Sequence, residues 1–149
     1  MPAQRGDAAV ELSELLCFDL YAASRALTAT YRPLLAKLGV TYPQYLVLVV
    51  LWREKRQTVK QLSLALQLDY GTLTPLLRRM QSNELITRHR RLDDERSVHI
   101  ELTTAGTALQ SKARGVREAI TSAVGLDGEQ IVALQATLRH VTASAGGRR

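Results

Sequence analysis

Apolar residues recur at three- and four-residue steps along most of the chain, and the places where the step changes divide it into elements. Leu12, Leu16, Leu20, Ala23 and Leu27 mark a long helix over Ala9–Leu38, which Pro33 should kink or end. Gly39 stands where a helix C-cap is needed. Thr41, with Gln44 three residues on, makes a capping box for a second helix, Tyr42–Arg53. Its run Tyr45–Trp52 (YLVLVVLW) is apolar nearly all round, which places it in the core. After a basic linker (Arg53, Lys55, Arg56), Thr58 and Gln61 repeat the capping box ahead of a short helix through Leu66. A turn over Gln67–Gly71 then leads into Thr72–Asn83, with Leu73, Leu76, Leu77 and Met80 at helical spacing and Pro75 placed in the first turn. Two short helices around a tight turn form a helix-turn-helix pattern.

Beyond Ile86 the period falls to two. Ile86–Arg91 reads as one strand, and Val98, Ile100 and Leu102 alternating with His99 and Glu101 read as another. The charged turn Leu92–Ser97 between them makes a hairpin, and a hairpin after a recognition helix is a wing. Thr103 caps a helix on Leu109, Ala113, Val116, Ile120 and Ala123 that Gly125 ends, and Asp127 with Gln130 opens a last helix on Ile131, Leu134, Leu138 and Val141. The fold class is mainly α with a small β-hairpin wing: a single domain over 1–149, with a winged helix-turn-helix at 42–102. Helices at 9–38 and 103–143 flank it and can pair with a second copy, and 1–8 and 144–149 are expected to be flexible tails.

Charge sharpens this picture. The net charge is +6, yet residues 1–19 carry one Arg against four acids, while Arg53–Arg96 holds ten Lys/Arg against six Asp/Glu. A basic middle third suits a polyanion. The N-terminus MPAQRGD does not resemble a signal peptide and no apolar run reaches membrane-spanning length, so a cytoplasmic protein without membrane association is expected. One cysteine excludes an intrachain disulfide and, with three scattered histidines, argues against a metal site; no cofactor is implied.

That cysteine, Cys17, shares the stretch Leu15–Leu46 with Tyr21, Tyr31, Tyr42 and Tyr45. At about 100° per residue, Tyr21 falls about 40° to one side of Cys17 and Tyr31 about 40° to the other. At about 1.5 Å per residue, Tyr31 also lies about 21 Å along the axis, out of reach of its own Cys17. An antiparallel second copy crossing near Ser24, where Ala22, Ala23 and Ala26 are small, would bring Tyr31 of one chain beside Cys17 of the other. A homodimer with a thiol and phenols meeting across its interface is the expectation. Composition alone would leave Cys17 an inert buried thiol and the tyrosines core aromatics, and for Tyr45 that plainer role is preferred.

The order of elements, with DDERSVHIELTTAG (Asp93–Gly106) as wing and following cap, resembles the MarR family of dimeric winged-helix regulators. LCFDLYAASRALTATYRPLLAKLGVTYPQYLVLVVLW and YGTLTPLLRRM are similar to its organic-hydroperoxide-sensing, OhrR-type branch. The resemblance covers roughly Leu15–Gly125. It implies a transcriptional repressor, not an enzyme, in which Cys17 reacts with an organic hydroperoxide, Tyr31 and Tyr42 reach it from the other subunit, and Tyr21 lines the pocket. With no second cysteine the chain resembles the one-cysteine subtype, so a small thiol is the expected resolving partner. On the DNA side, Gly71, Thr72, Thr74, Pro75, Arg78 and Arg79 are of the types that meet phosphates and base edges, and Arg88, Arg90 and Arg91 suit backbone phosphate. Arg96 is expected to enter the minor groove as the wing residue, and the resemblance gives Asp94 the role of steadying it. Two such heads call for double-stranded DNA bearing an inverted repeat. Three rival readings are a regulator released by a small phenolic or anionic ligand with Cys17 incidental, a thiol peroxidase, and a DNA-binding architectural protein without a switch.

Overall fold

The helix starts follow from local chemistry. In a computed structural model that describes residues 9–90 and 97–147, Thr41, Thr58 and Asp127 each accept a hydrogen bond from the backbone N–H three residues on, and Gln44, Gln61 and Gln130 each accept one from the cap's own N–H. These reciprocal pairs satisfy donors that the first helical turn leaves open. After a 3-10 turn at Leu12–Glu14 the order is α1 (Leu16–Ala36), α2 (Tyr42–Glu54), β1 (Arg56–Thr58), α3 (Val59–Leu66), α4 (Tyr70–Ser82), β2 (Ile86–Arg90), β3 (Val98–Leu102), α5 (Thr104–Lys112), α6 (Arg114–Val124) and α7 (Gly128–Gly146).

Several boundaries differ from the periodicity. α1 begins at Leu16 rather than Ala9, because Glu11 and Leu15 are extended and neither supplies a side-chain cap. Pro33 does not end it; the ring removes only the N–H that would have bonded Ala29, and the helix runs on to Ala36. Gly39, at φ +70°, makes the left-handed turn expected of it, and the Val40 N–H reaches back to the Leu35 carbonyl at 3.2 Å. The segment expected to be one helix from Thr103 to Gly125 is two, parting at Ala113, a buried residue with ψ near −5° that is followed closely by Gly115. α7 continues through residues 143–146, past the expected start of the tail.

The sheet has three strands in the order β1-β3-β2, all antiparallel. β1 falls where the periodicity shows only linker: three residues with no apolar alternation leave no period to detect. It pairs with β3 so that Arg56 lies opposite Glu101, and their side chains form an ion pair at 3.0 Å. The core lies between this sheet and α2, α3 and α4, with Leu48, Leu51, Leu62, Leu77, Ile86 and Ile100 fully buried.

α5 is seated on the wing root by a close backbone approach. The Thr103 hydroxyl donates to the Glu84 carbonyl at 2.6 Å and accepts from the Gly106 N–H, while the Thr103 N–H donates to the Leu85 carbonyl. Gly106 is buried, and a Cβ there would collide with the Leu85 carbonyl oxygen. Gly106→Ala is therefore expected to destabilise the fold by about 1–3 kcal/mol, as overpacking against backbone does, and thermal denaturation would register the loss.

Candidate functional site

α1 and α2 meet at their tyrosines. Tyr31 lies four turns along α1 on the side facing α2, and Tyr42 is the first residue of α2, fixed there by the Thr41 capping box. Their rings are 4.8 Å apart between centroids and tilted by 46°. Tyr45, one turn further along α2, lies 5.9 Å from Tyr31 and 6.1 Å from Trp52. Tyr45 is thus a packed aromatic, as expected, but one in direct contact with Tyr31.

Tyr31 and Tyr42 open into an apolar cavity of about 540 Å³, whose other walls include Leu20 and Leu27 of α1, Ile120 of α6, and Leu134 and Leu138 of α7. Burial raises the Tyr31 hydroxyl above its usual value of 10.0, and the neighbouring Tyr42 and Tyr45 add to the effect. Tyr45 is likewise raised by burial first and by Tyr42 second, with Arg117 opposing. Both phenols therefore keep their protons at neutral pH, which leaves each O–H able to donate a hydrogen bond. A raised value means that the folded form holds these protons more tightly, so stability falls as pH rises through and beyond 10.0. Tyr31→Phe should blunt that alkaline loss in a denaturation series between pH 8 and pH 11.

Cys17 is the second residue of α1 and is exposed. It does not line the tyrosine cavity of its own chain, as the axial distance required. Tyr21 is 61% exposed and stands outside that cavity too, with the Arg25 guanidinium 5.4 Å above its ring. One chain thus brings together Tyr31 and Tyr42 but not Cys17 or Tyr21. The α7 leucines that close the cavity have no distinguishing signal in the sequence, because they come from the far end of the chain and carry no mark beyond their helical spacing.

The second candidate region is α4. Asp69 caps it by accepting from the Thr72 N–H at 2.7 Å, so the helix starts at Tyr70 rather than Thr72. Pro75 is consequently in the second turn, not the first, and leaves the Gly71 carbonyl without its helical donor. Leu73, Leu76, Leu77 and Met80 are buried. Gly71, Thr72, Pro75, Arg78 and Arg79 are exposed and Thr74 half-buried, together forming the opposite stripe. Arg88 of β2 shares a groove with Lys60, Tyr70 and Ser97. Lys60 and Tyr70 are additions to the sequence-based set, although an exposed tyrosine at a helix start is a visible signal. Among the described residues no ion pair engages Arg78, Arg79 or Arg88. Asp94, Arg96 and Arg91 lie outside the described residues. Among the described residues, no cluster of three His, Cys, Asp or Glu side chains could hold a metal ion, and no helix is long and apolar enough to cross a membrane.

The arrangement matches known proteins. Residues 29–112 fit the family described as transcriptional regulator SarA/Rot. The organic hydroperoxide resistance transcriptional regulator of Bacillus subtilis is 47% identical over 129 residues, covering 87% of this chain and 88% of that protein. The chain belongs to the MarR/SarA family of transcriptional regulators. Among solved relatives, reduced AbfR bound to DNA superposes with a TM-score of 0.70 at 38% identity, covering 87% of this chain and 93% of that one. A mutant MarR from Escherichia coli complexed with operator DNA superposes with a TM-score of 0.75, over 89% of this chain and 99% of that one, and at 22% identity shares the fold. In this MarR/SarA chain the glycine at the start of α4 has no conformational need for its missing side chain: a Cβ at Gly71 would meet Asp69 Oδ1 at an ordinary 3.5 Å. Gly71→Ala should leave stability unchanged or raise it by up to about 1 kcal/mol. If the backbone there approaches DNA, the same substitution should weaken operator binding, which a titration against a labelled duplex would measure.

Proposed function

We propose that the protein is a homodimeric repressor that binds an inverted-repeat operator and releases it when Cys17 is oxidised by an organic hydroperoxide. The observation that carries this reading is the Tyr31–Tyr42 pair, 4.8 Å apart at an apolar cavity, with Tyr31 on the helix that also presents Cys17. A second copy is called for because α7 has no buried residue, while Val132, Leu134 and Leu138 join Leu12, Leu16 and Phe18 in leaving large apolar side chains exposed. Patches of that kind mark interaction surfaces. An antiparallel α1 crossing would carry each Cys17 to the partner's Tyr31 and Tyr42, with Tyr21 at the rim.

The chemistry is then specific. Phenol O–H donors favour the thiolate, which attacks the peroxide O–O bond. Sulfur gains the terminal oxygen as Cys–SOH, and the alkoxide leaves and takes up a proton as the alcohol; the thiol is oxidised by two electrons and the peroxide reduced by two. A low-molecular-weight thiol can then displace hydroxide, released as water, to give a mixed disulfide. The apolar walls suit an alkyl or aryl hydroperoxide better than H2O2. Oxidation breaks the phenol–thiolate bonds and places a polar group in a packed interface, and a differential stability of a few kcal/mol is enough to move the DNA heads between states. Gly71, Thr72, Thr74, Pro75, Arg78 and Arg79 of each head read the major groove, Arg88 holds backbone phosphate, and Arg96, steadied by Asp94, enters the minor groove. The half-sites are about 34–36 Å apart.

The test is a gel shift on an inverted-repeat operator with and without cumene hydroperoxide, followed by intact mass. Wild type should release DNA as Cys17 gains oxygen or a thiol, and Cys17→Ser should bind but ignore peroxide. Release of Cys17→Ser by peroxide would remove the sensing assignment, and release of the reduced protein by a phenolic ligand would favour a ligand-gated regulator. Arg78→Ala should cost about 1–3 kcal/mol if it contacts a base edge, whereas a phosphate contact would lower the salt slope by about one.

A further inference from the structure

The sole tryptophan occupies a position that the sensor chemistry does not use. Tyr42, Tyr45 and Trp52 lie on one side of α2, three and then seven residues apart, so that α2 carries aromatic rings from the sensor cavity at its first turn to its far end. The contacts are continuous: Tyr42 to Tyr31, Tyr31 to Tyr45, and Tyr45 edge-on to Trp52 at 6.1 Å. At the end of the row the Trp52 Nε1–H donates to the Gly106 carbonyl at 2.9 Å, a contact spanning 54 residues. Gly106 is the residue whose backbone lies against Leu85, just before β2, and whose N–H is held by Thr103, just after β3. Trp52 also shares a groove with Glu101 and Leu102 of β3. One indole therefore joins α2, the helix that begins with Tyr42 and packs on Tyr31, to the root of both wing strands.

We propose that Trp52 is a positioning residue of the switch: its hydrogen bond to Gly106 ties the wing root to α2, so that rearrangement of Tyr31 and Tyr42 is delivered to the DNA-reading face. The inference rests on the oxidant-switch reading above. The cluster is packed and the link is a single directional bond, which passes a displacement on instead of absorbing it. Without the bond the wing root keeps its own seat on Thr103 and Leu85, but it no longer follows α2.

The test compares wild type with Trp52→Phe, which keeps an aromatic ring in place and removes the N–H together with part of the indole. Operator affinity is measured for each protein before and after full oxidation by cumene hydroperoxide, with intact mass confirming that Cys17 has reacted. Trp52→Phe should oxidise as wild type does and, when reduced, bind with affinity within about twofold, while the ratio of oxidised to reduced Kd falls about fivefold, the factor that one lost hydrogen bond carries. An unchanged ratio overturns the proposal, including the case where thermal stability drops and both states weaken together, since that is a purely structural role. A wild type that peroxide does not release would instead overturn the reading beneath it. Should Trp52→Phe fail to fold, the fluorescence of the single tryptophan in wild type decides: oxidation should shift its emission or its quenching by acrylamide. Release of DNA with no change in fluorescence overturns the proposal.

Discussion

The contact between Tyr31 and Tyr42 is the joint on which the proposed sensor rests. It exists because two local devices fix the chain between them. Gly39 takes the left-handed conformation that reverses the chain after α1, and the Thr41–Gln44 capping box sets where α2 begins. Each is a short-range effect worth about 1 kcal/mol. Together they hold two half-buried phenols in contact at the edge of an apolar cavity, with burial raising the Tyr31 hydroxyl above its usual value. Each phenol O–H at that edge is a donor that a polar or anionic group on a neighbouring surface can engage.

A single chain lacks that neighbouring surface. α7 has no fully buried residue, and the start of α1 displays leucines to solvent, so hydrophobic free energy favours a second copy wherever α1 and α7 are free to meet one. Covering that surface and completing the sensor are the same event in the proposed dimer: the hydrophobic effect supplies the affinity, and α1 supplies the register that places sulfur against phenol. The proposed DNA-reading helix α4 and strand β3 of the wing pack against α2, a core helix with Val47, Leu48 and Leu51 buried.

What the chain discloses on its own is governed by the range of the interaction involved. The capping boxes at Thr41, Thr58 and Asp127 are readable because cap and acceptor are three residues apart. The alternation of Val98, Ile100 and Leu102 discloses β3, but β1 stays hidden, since its pairing with Glu101 and His99 comes from more than forty residues away. The start of α4 is misplaced by periodicity because Asp69 looks like a turn residue until its carboxylate is found on the Thr72 N–H, and Pro75 moves to the second turn as a result. In the sensor, helical geometry separates Tyr31 from its own Cys17. Tyr42 sits in another helix, so only the fold, or likeness to known regulators, could put it beside Tyr31.

The decisive question is whether a sulfur is served by the phenols of its own chain or of its partner. Heterodimers assembled from a Cys17→Ser subunit and a Tyr31→Phe/Tyr42→Phe subunit separate the two arrangements, with the peroxide oxidation rate of the remaining Cys17 as the readout. If the site is shared, that cysteine faces intact tyrosines across the interface and reacts with cumene hydroperoxide at the wild-type rate. If it stays as slow as in the Tyr31→Phe/Tyr42→Phe homodimer, sulfur and phenols do not meet across the interface and the account is contradicted.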